Sequence, residues 1–407
     1  MSRRARSGLD YQLLVITTLG LVAFGLVMVY SASSARAALA ADDPAYYLKR
    51  QALYAVIGIV ALVFLSRTDY RRLRFAVPPL LLGSFALLVA VLVLAEPVNG
   101  ARRWIELGPA TIQPSELAKL AIALWLASYL ARTPAPQSIA ELLRPIGVVV
   151  GTALALVVVE PDLGTAIAIA IMVGAVLLVA GTQISTLMGA ALAGMALMAA
   201  AIWLEPYRRE RILSFLDPWQ DPENAGFQSV QAMLALGSGG LFGTGLGESV
   251  QKVYYLPEAS TDMIYAIIGE ELGLVGAVAV LAAFVIFGYA GFNVALACRD
   301  PFGKLLAAGI TALICGQAAV NISAVMGLAP LTGIPLPFVS YGGSSLIVGL
   351  AAVGILLNIA SNDGVAATDR VPDRSRRDGR TRAAQPGRGR RPAPARRERP
   401  VRRRAAS

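Results

Sequence analysis

Residues 11–30 read YQLLVITTLGLVAFGLVMVY, twenty residues without a charge. At a rise of about 1.5 Å per residue, a helix of that length crosses the roughly 30 Å hydrocarbon layer of a bilayer. Apolar runs of similar character recur at 51–66, 76–95, 115–131, 145–159, 163–181, 185–204, 270–295, 305–327 and 338–359. Hydrophobic residues make up 56% of the 407-residue chain and charged residues only 15%, whereas soluble domains are about a quarter charged. The pattern predicts an all-α polytopic membrane protein of about ten transmembrane helices. A membrane domain over 1–360 is expected, with a large extracytoplasmic loop at 206–269 between helices 7 and 8, followed by a tail at 361–407.

Ten spans put both termini on one side, and the distribution of arginine says which. Arg3, Arg4, Arg6, Arg67, Arg71, Arg72, Arg74, Arg132, Arg144 and Arg299 fall on the terminal side, where few acidic residues accompany them. The positive-inside rule makes that side cytoplasmic. The run from Tyr11 to Tyr30 exceeds the 7–15 residues of a cleavable signal core, so an uncleaved first helix is expected. The tail has 15 arginines against 5 acidic residues and no aromatic residue. It cannot bury a core and is expected to be disordered, with anionic lipid or an acidic partner rather than nucleic acid as its counterpart.

Histidine is absent. Acid–base chemistry therefore falls to carboxylates, lysine, tyrosine or water, and His-based zinc sites and Ser-His-Asp triads are excluded. Cys298 and Cys315 form neither a metal-ligand spacing nor a disulfide framework and read as small buried hydrophobes.

Five segments carry polar groups where a passive linker or a lipid-facing helix would not need them. The first runs from Gln251 and Lys252 through Pro257, Ser260 and Thr261 to Asp262, then into Glu270 and Glu271. Ser260 or Thr261 can cap a helix, which would put Asp262 in its first turn, a plain structural role. The alternative is a base at the mouth of a membrane cavity. Below it, Ala266, Gly269, Gly273 and Gly276 share a face open to a neighbouring helix or a lipid chain. The second segment is Asn99–Ile105, with Arg102 and Arg103, followed by Gln113–Leu120. Glu116 and Lys119 lie three apart and can pair, though an ionisable pair within a span is also a site by default. In the third, Glu160-Pro161-Asp162 is either a capped turn or an acidic cavity wall. The fourth is Tyr207–Trp219, where Arg208 and Arg211 can anchor at the interface or bind phosphate; the six glycines of Gly237–Gly247 then form a flexible turn or an anion nest. The fifth, Pro335–Leu346 with Ser340, Gly342 and Gly343, reads as a broken helix start, which at membrane depth must be buried or line water.

Taken in order, the motifs NGARRWI, QPSELAKL, EPDLGTA, RERILSFLDPW, GLGESVQKVYYLPEASTD, IIGEELG and GIPLPFVSYGGSSL resemble the SEDS family (shape, elongation, division and sporulation) over roughly residues 10–360. The wording is more similar to the division branch than to the elongation branch. The resemblance implies a peptidoglycan glycosyltransferase that polymerises lipid II by inverting transfer on the outer face of the bacterial cytoplasmic membrane, at the division septum. The family's essential aspartate falls on Asp262, as general base. Its membrane Glu and Lys fall on Glu116 and Lys119, and its arginines on Arg102 and Arg103, which are diphosphate partners on charge grounds. Arg208, Arg211, Lys252, Ser340, Gly342 and Gly343 complete the expected substrate contacts. Ser260 stands where many relatives carry histidine. A divalent cation, Mg or Mn, is the only cofactor the resemblance leaves open. Implied partners are a class B penicillin-binding transpeptidase and other division-complex proteins. The competing readings are a lipid II flippase, a division scaffold and the elongation-type polymerase.

Overall fold

The structure is a computed structural model that describes residues 3–41, 43–96, 102–107, 110–204, 206–224, 226–252 and 256–366. The expected basic tail lies outside those residues, apart from the end of the last helix. The expected spans are all helices: α1 (Arg3–Ala41), α2 (Tyr46–Arg67), α3 (Leu73–Leu94), α4 (Pro114–Leu130), α5 (Ile139–Leu142) continuing into α6 (Val148–Val159), α7 (Leu163–Ala180) and α8 (Ile184–Trp203). After the long connection come α11 (Ile264–Ala297), α12 (Pro301–Val325) and α13 (Gly343–Ala366). Among the described residues, nine helical segments are long and apolar enough to cross a membrane. The tenth expected span, α4, has 17 residues, most of them buried. A helix surrounded by protein need not match the bilayer.

Burial grades across the bundle. In the most apolar window of α12 and of α13, 78% is buried, whereas none of the window of α8 is. The first two therefore form the core, and α8 lies at the periphery, touching the bundle mainly at its start, where Thr186 Oγ1 donates to Gln137 O at 2.7 Å. Small residues bring α2 and α13 together: a Cβ on Gly58 would lie 2.6 Å from Leu350 Cδ1, and one on Gly354 would lie 2.5 Å from Leu62 O. Without a hydrophobic drive between helices in lipid, such close approach is what holds them.

Two features between the spans were not anticipated. A short antiparallel hairpin of β1 (Ile105–Leu107) and β2 (Ala110–Ile112) pairs Ile105 with Ile112. The connection from α8 to α11 contains α9 (Pro206–Leu216) and α10 (Phe227–Ser238). Beyond α10, the glycine run lies directly on α11. Thr244 N donates to Glu270 O at 2.9 Å and Leu274 N to Gly240 O at 2.9 Å. Gly273 breaks α11 at φ 68°, ψ −164°, and a Cβ on Gly239 or Gly243 would collide with the carbonyls of Gly269 and Glu271. These glycines serve close backbone approach, not an anion nest. The face of Gly269 and Gly273 is met by a helix and by this loop: Leu236 of α10 packs on Gly269, and the loop at Leu241 and Gly243 lies on Gly273.

Candidate functional site

Asp262 sits in a turn just before α11. Met263 is the helix cap and makes no side-chain cap bond, so the expected capping by Ser260 or Thr261 does not occur and Asp262 precedes the first turn. Thr261 Oγ1 instead bonds Glu258 Oε2 at 2.9 Å and Asp262 Oδ1 at 3.4 Å. The turn is fixed from two sides. Asn321 Nδ2, on α12, donates to Asp262 O at 2.7 Å and to Ile334 O at 2.8 Å, and Tyr341 N donates to Ser260 O at 2.8 Å. Glu258 (φ 56°) and Phe338 (φ 65°) hold left-handed backbone on either side, a strain that persists only where the surroundings impose it.

Arg103 reaches the same space from the stretch ahead of β1. Its Nε donates to Glu160 O at 3.2 Å and its Nη2 to Pro161 O. Its third nitrogen and Asp262 converge on Gly333: a Cβ there would sit 3.8 Å from Arg103 Nη1 and 3.9 Å from Asp262 Oδ2. A cation and a carboxylate thus lie side by side at Gly333, whose φ of 73° is left-handed backbone. Arg102 turns away, exposed, with Nη1 on Leu92 O at 2.9 Å, so only one of the two arginines faces Asp262.

The Glu160-Pro161-Asp162 turn behind Arg103 is the capped turn of the first reading. Asp162 caps α7, accepting from Thr165 N at 3.0 Å, and its other oxygen accepts from Gln113 Nε2 at 3.2 Å. Glu160 is fully buried, and neither carboxyl oxygen has a hydrogen-bond partner. Burial, then the charge of Asp162, pushes its pKa up to about 8 against the opposing pull of Arg103.

Glu116 and Lys119 pair at 2.8 Å inside the bundle. Lys119 Nζ also donates to Gln317 Oε1 at 2.8 Å, and Gln317 Nε2 donates to Pro335 O at 3.0 Å. The pair therefore supports the loop that carries Gly333 and lines a cavity with Gln317, Phe338 and Ser345. In the broken start of α13, Ser340 Oγ accepts from Leu336 N at 2.8 Å. Gln51 on α2 clasps the same stretch, donating to Ser340 O at 3.0 Å and accepting from Gly342 N at 3.3 Å. A Cβ on Gly343 would strike the Tyr54 ring at 2.7 Å. Ser340, Gly342 and Gly343 therefore shape the loop.

Lys252 is spent elsewhere, its Nζ 2.8 Å from Glu271 Oε1 with Ser31 Oγ bonded to the same carboxylate at 2.6 Å. Glu270 accepts from Ser249 Oγ at 2.5 Å and Val250 N at 3.0 Å. Glu271 is thus ion-paired and Glu270 satisfied by neutral donors, as a carboxylate at a span's start requires. Arg208 and Arg211 lie on α9, and their side chains fall outside the described ones, as do Asn99, Gly100 and Val253–Tyr255. Sequence reasoning missed Asn321, Gln317, Gln113 and Gln51. Gln317 and Asn321 carried a signal: two amides at i, i+4 on one face of an apolar span.

Among the described residues, no cluster of three or more carboxylates, cysteines or histidines could hold a metal. At the Glu160-Pro161-Asp162 turn, Asp162 is already engaged on both oxygens and Arg103 lies on the backbone oxygens of Glu160 and Pro161, so the turn by itself is not a ready-made site for a divalent ion.

The sequence model of the cell cycle protein family that groups FtsW, RodA and SpoVE matches residues 11–364. A probable peptidoglycan glycosyltransferase FtsW of Geobacter metallireducens is 42% identical over 351 residues, covering 86% of this chain and 94% of its own length. Stage V sporulation protein E of Bacillus subtilis is 43% identical over 356 residues, covering 86% and 96%. Among solved structures, a chain of a peptidoglycan synthase complex that coordinates polymerization and crosslinking superposes with a TM-score of 0.71 at 32% identity, covering 86% of this chain and 97% of that one. The rod shape determining protein RodA of Thermus thermophilus gives 0.62 at 30% identity, covering 86% and 96%.

Proposed function

The chain belongs to the cell cycle protein family of FtsW, RodA and SpoVE, and we propose that it is a peptidoglycan glycosyltransferase that polymerises lipid II with Asp262 as general base. The observation that carries the reading is the convergence of Asp262 Oδ2 and Arg103 Nη1 at Gly333. In an inverting transfer, Asp262 takes the proton of the acceptor sugar 4-hydroxyl. That oxygen bonds to C1 of the donor sugar, and the C1–O bond to undecaprenyl diphosphate breaks. Negative charge grows on the leaving diphosphate, where a fixed guanidinium stabilises it most. Arg103, held by two backbone carbonyls, is oriented before substrate arrives.

The polar face of α12 supports this geometry, because Asn321 fixes the backbone of Asp262 while Gln317 and Lys119 fix the loop of Gly333. The arginine distribution supports cytoplasmic termini, which would put Asp262 on the outer face. The division septum is the site of action favoured by the FtsW relatives, and a class B penicillin-binding transpeptidase is the partner favoured by the synthase-complex neighbour. The test is polymerisation of lipid II by the purified protein with and without that transpeptidase. Glycan polymer from the pair supports the reading. Movement of lipid II across vesicle membranes without polymer would replace it with a flippase.

A further inference from the structure

A fully buried carboxyl without a hydrogen-bond partner is costly and needs a reason. Glu160 is such a group, at the turn that holds Arg103. Two charged groups bear on it. Asp162, on the same turn, is satisfied by Thr165 N and Gln113. Arg103 touches the backbone oxygens of Glu160 and Pro161 rather than the carboxyl. Asp262 Oδ2 lies at Gly333 beside Arg103 Nη1, the guanidinium nitrogen not used on those carbonyls. An ionised Glu160 would be a buried anion within reach of one cation, and pairing with it is its cheapest relief.

We propose that Glu160 is a positioning residue of the transfer site that works in its protonated form: neutral, it leaves Arg103 on the two carbonyls and turned toward the donor diphosphate; ionised, it draws the guanidinium to itself and away from substrate. This rests on the reading of Arg103 as the diphosphate's partner. The raised pKa, about 8, makes the neutral form dominant near pH 7. If only that form binds, the apparent Kd is the intrinsic one divided by the neutral fraction. Between pH 7 and pH 9 that fraction falls about tenfold.

The experiment measures lipid II binding to the full-length protein in nanodiscs between pH 6 and 9, for wild type, Glu160→Gln and Arg103→Gln. The lipid II diphosphate keeps its charge over this range, and any titration elsewhere in the ligand is common to all three proteins. Wild type is expected to lose about tenfold in affinity between pH 7 and 9, and Glu160→Gln to lose none of it. Arg103→Gln should bind weakly throughout, without the alkaline step. An alkaline loss of equal size in wild type and Glu160→Gln would overturn the proposal, as would a flat wild-type profile. If Arg103→Gln binds as tightly as wild type, the assignment of Arg103 falls, and this inference with it. A loss of polymerisation alone bears on the proposed reaction and leaves the binding comparison intact.

Discussion

Replacing Lys119 by methionine should unfold the core from the inside. The Lys119 and Glu116 side chains are 2% and 4% exposed and their charged atoms lie 2.8 Å apart. Removing the cation strands a carboxylate in the bundle and frees Gln317 Oε1, whose amide also holds Pro335 O. Breaking a buried pair on one side costs about 3–5 kcal/mol, whereas replacing both partners by apolar groups of similar volume is often near neutral. Lys119→Met should therefore lose about 3 kcal/mol or more in equilibrium unfolding in mixed micelles. The double variant Glu116→Leu/Lys119→Met should recover most of that loss, about 2–3 kcal/mol relative to the single variant. A single variant within about 1 kcal/mol of wild type, or a double variant showing the sum of the two losses, would refute the pairing as the source of stability.

The remaining expectations concern the loop, the turn and the clamp. Gly273→Ala meets a positive φ and the backbone of Gly243 and Leu241, so it should cost more than the 1–3 kcal/mol of backbone strain alone; an unfolding midpoint equal to wild type would count against the close approach. Because its folded-state pKa of about 8 exceeds the ordinary 4.5, Glu160 adds stability that is fully present below about pH 4.5 and lost as pH rises through about 8. Glu160→Gln should remove that slope from the stability–pH curve, and an unchanged slope would assign it elsewhere. Asn321→Ala frees the Asp262 backbone, and a displacement of the order of 1 Å costs about 10²-fold in rate. It should lower kcat by about 10- to 100-fold with far less change in KM for lipid II; an effect on KM alone would mean that Asn321 serves binding.

How far the sequence reached depended on the range of the interactions. Spans such as Leu163–Ala180 were legible because hydrophobic length is set by the bilayer and needs no knowledge of neighbours. The Glu116–Lys119 pair was legible for a similar reason, since three residues along a helix always share a face. The meeting of Arg103 and Asp262 at Gly333 was not, because the two lie 159 positions apart in the chain. Lys252 resembled a substrate contact and proved to be the partner of Glu271, a pairing decided by where the glycine loop lies on α11. Nothing local distinguished Arg103 from Arg102 either. Their separation follows from the hairpin that begins at Ile105 and from the carbonyls waiting at Glu160 and Pro161.

The central claim is that Asp262 removes the acceptor proton. The most direct measurement is the rate of lipid II polymerisation by Asp262→Asn with the transpeptidase partner present, alongside lipid II binding by the same variant. Asparagine keeps the shape and the backbone bond to Asn321 but cannot accept the proton, so binding should persist while the rate falls by about 10²–10⁴-fold, the usual worth of a general base. Polymer made by Asp262→Asn at a rate near that of wild type would contradict the account.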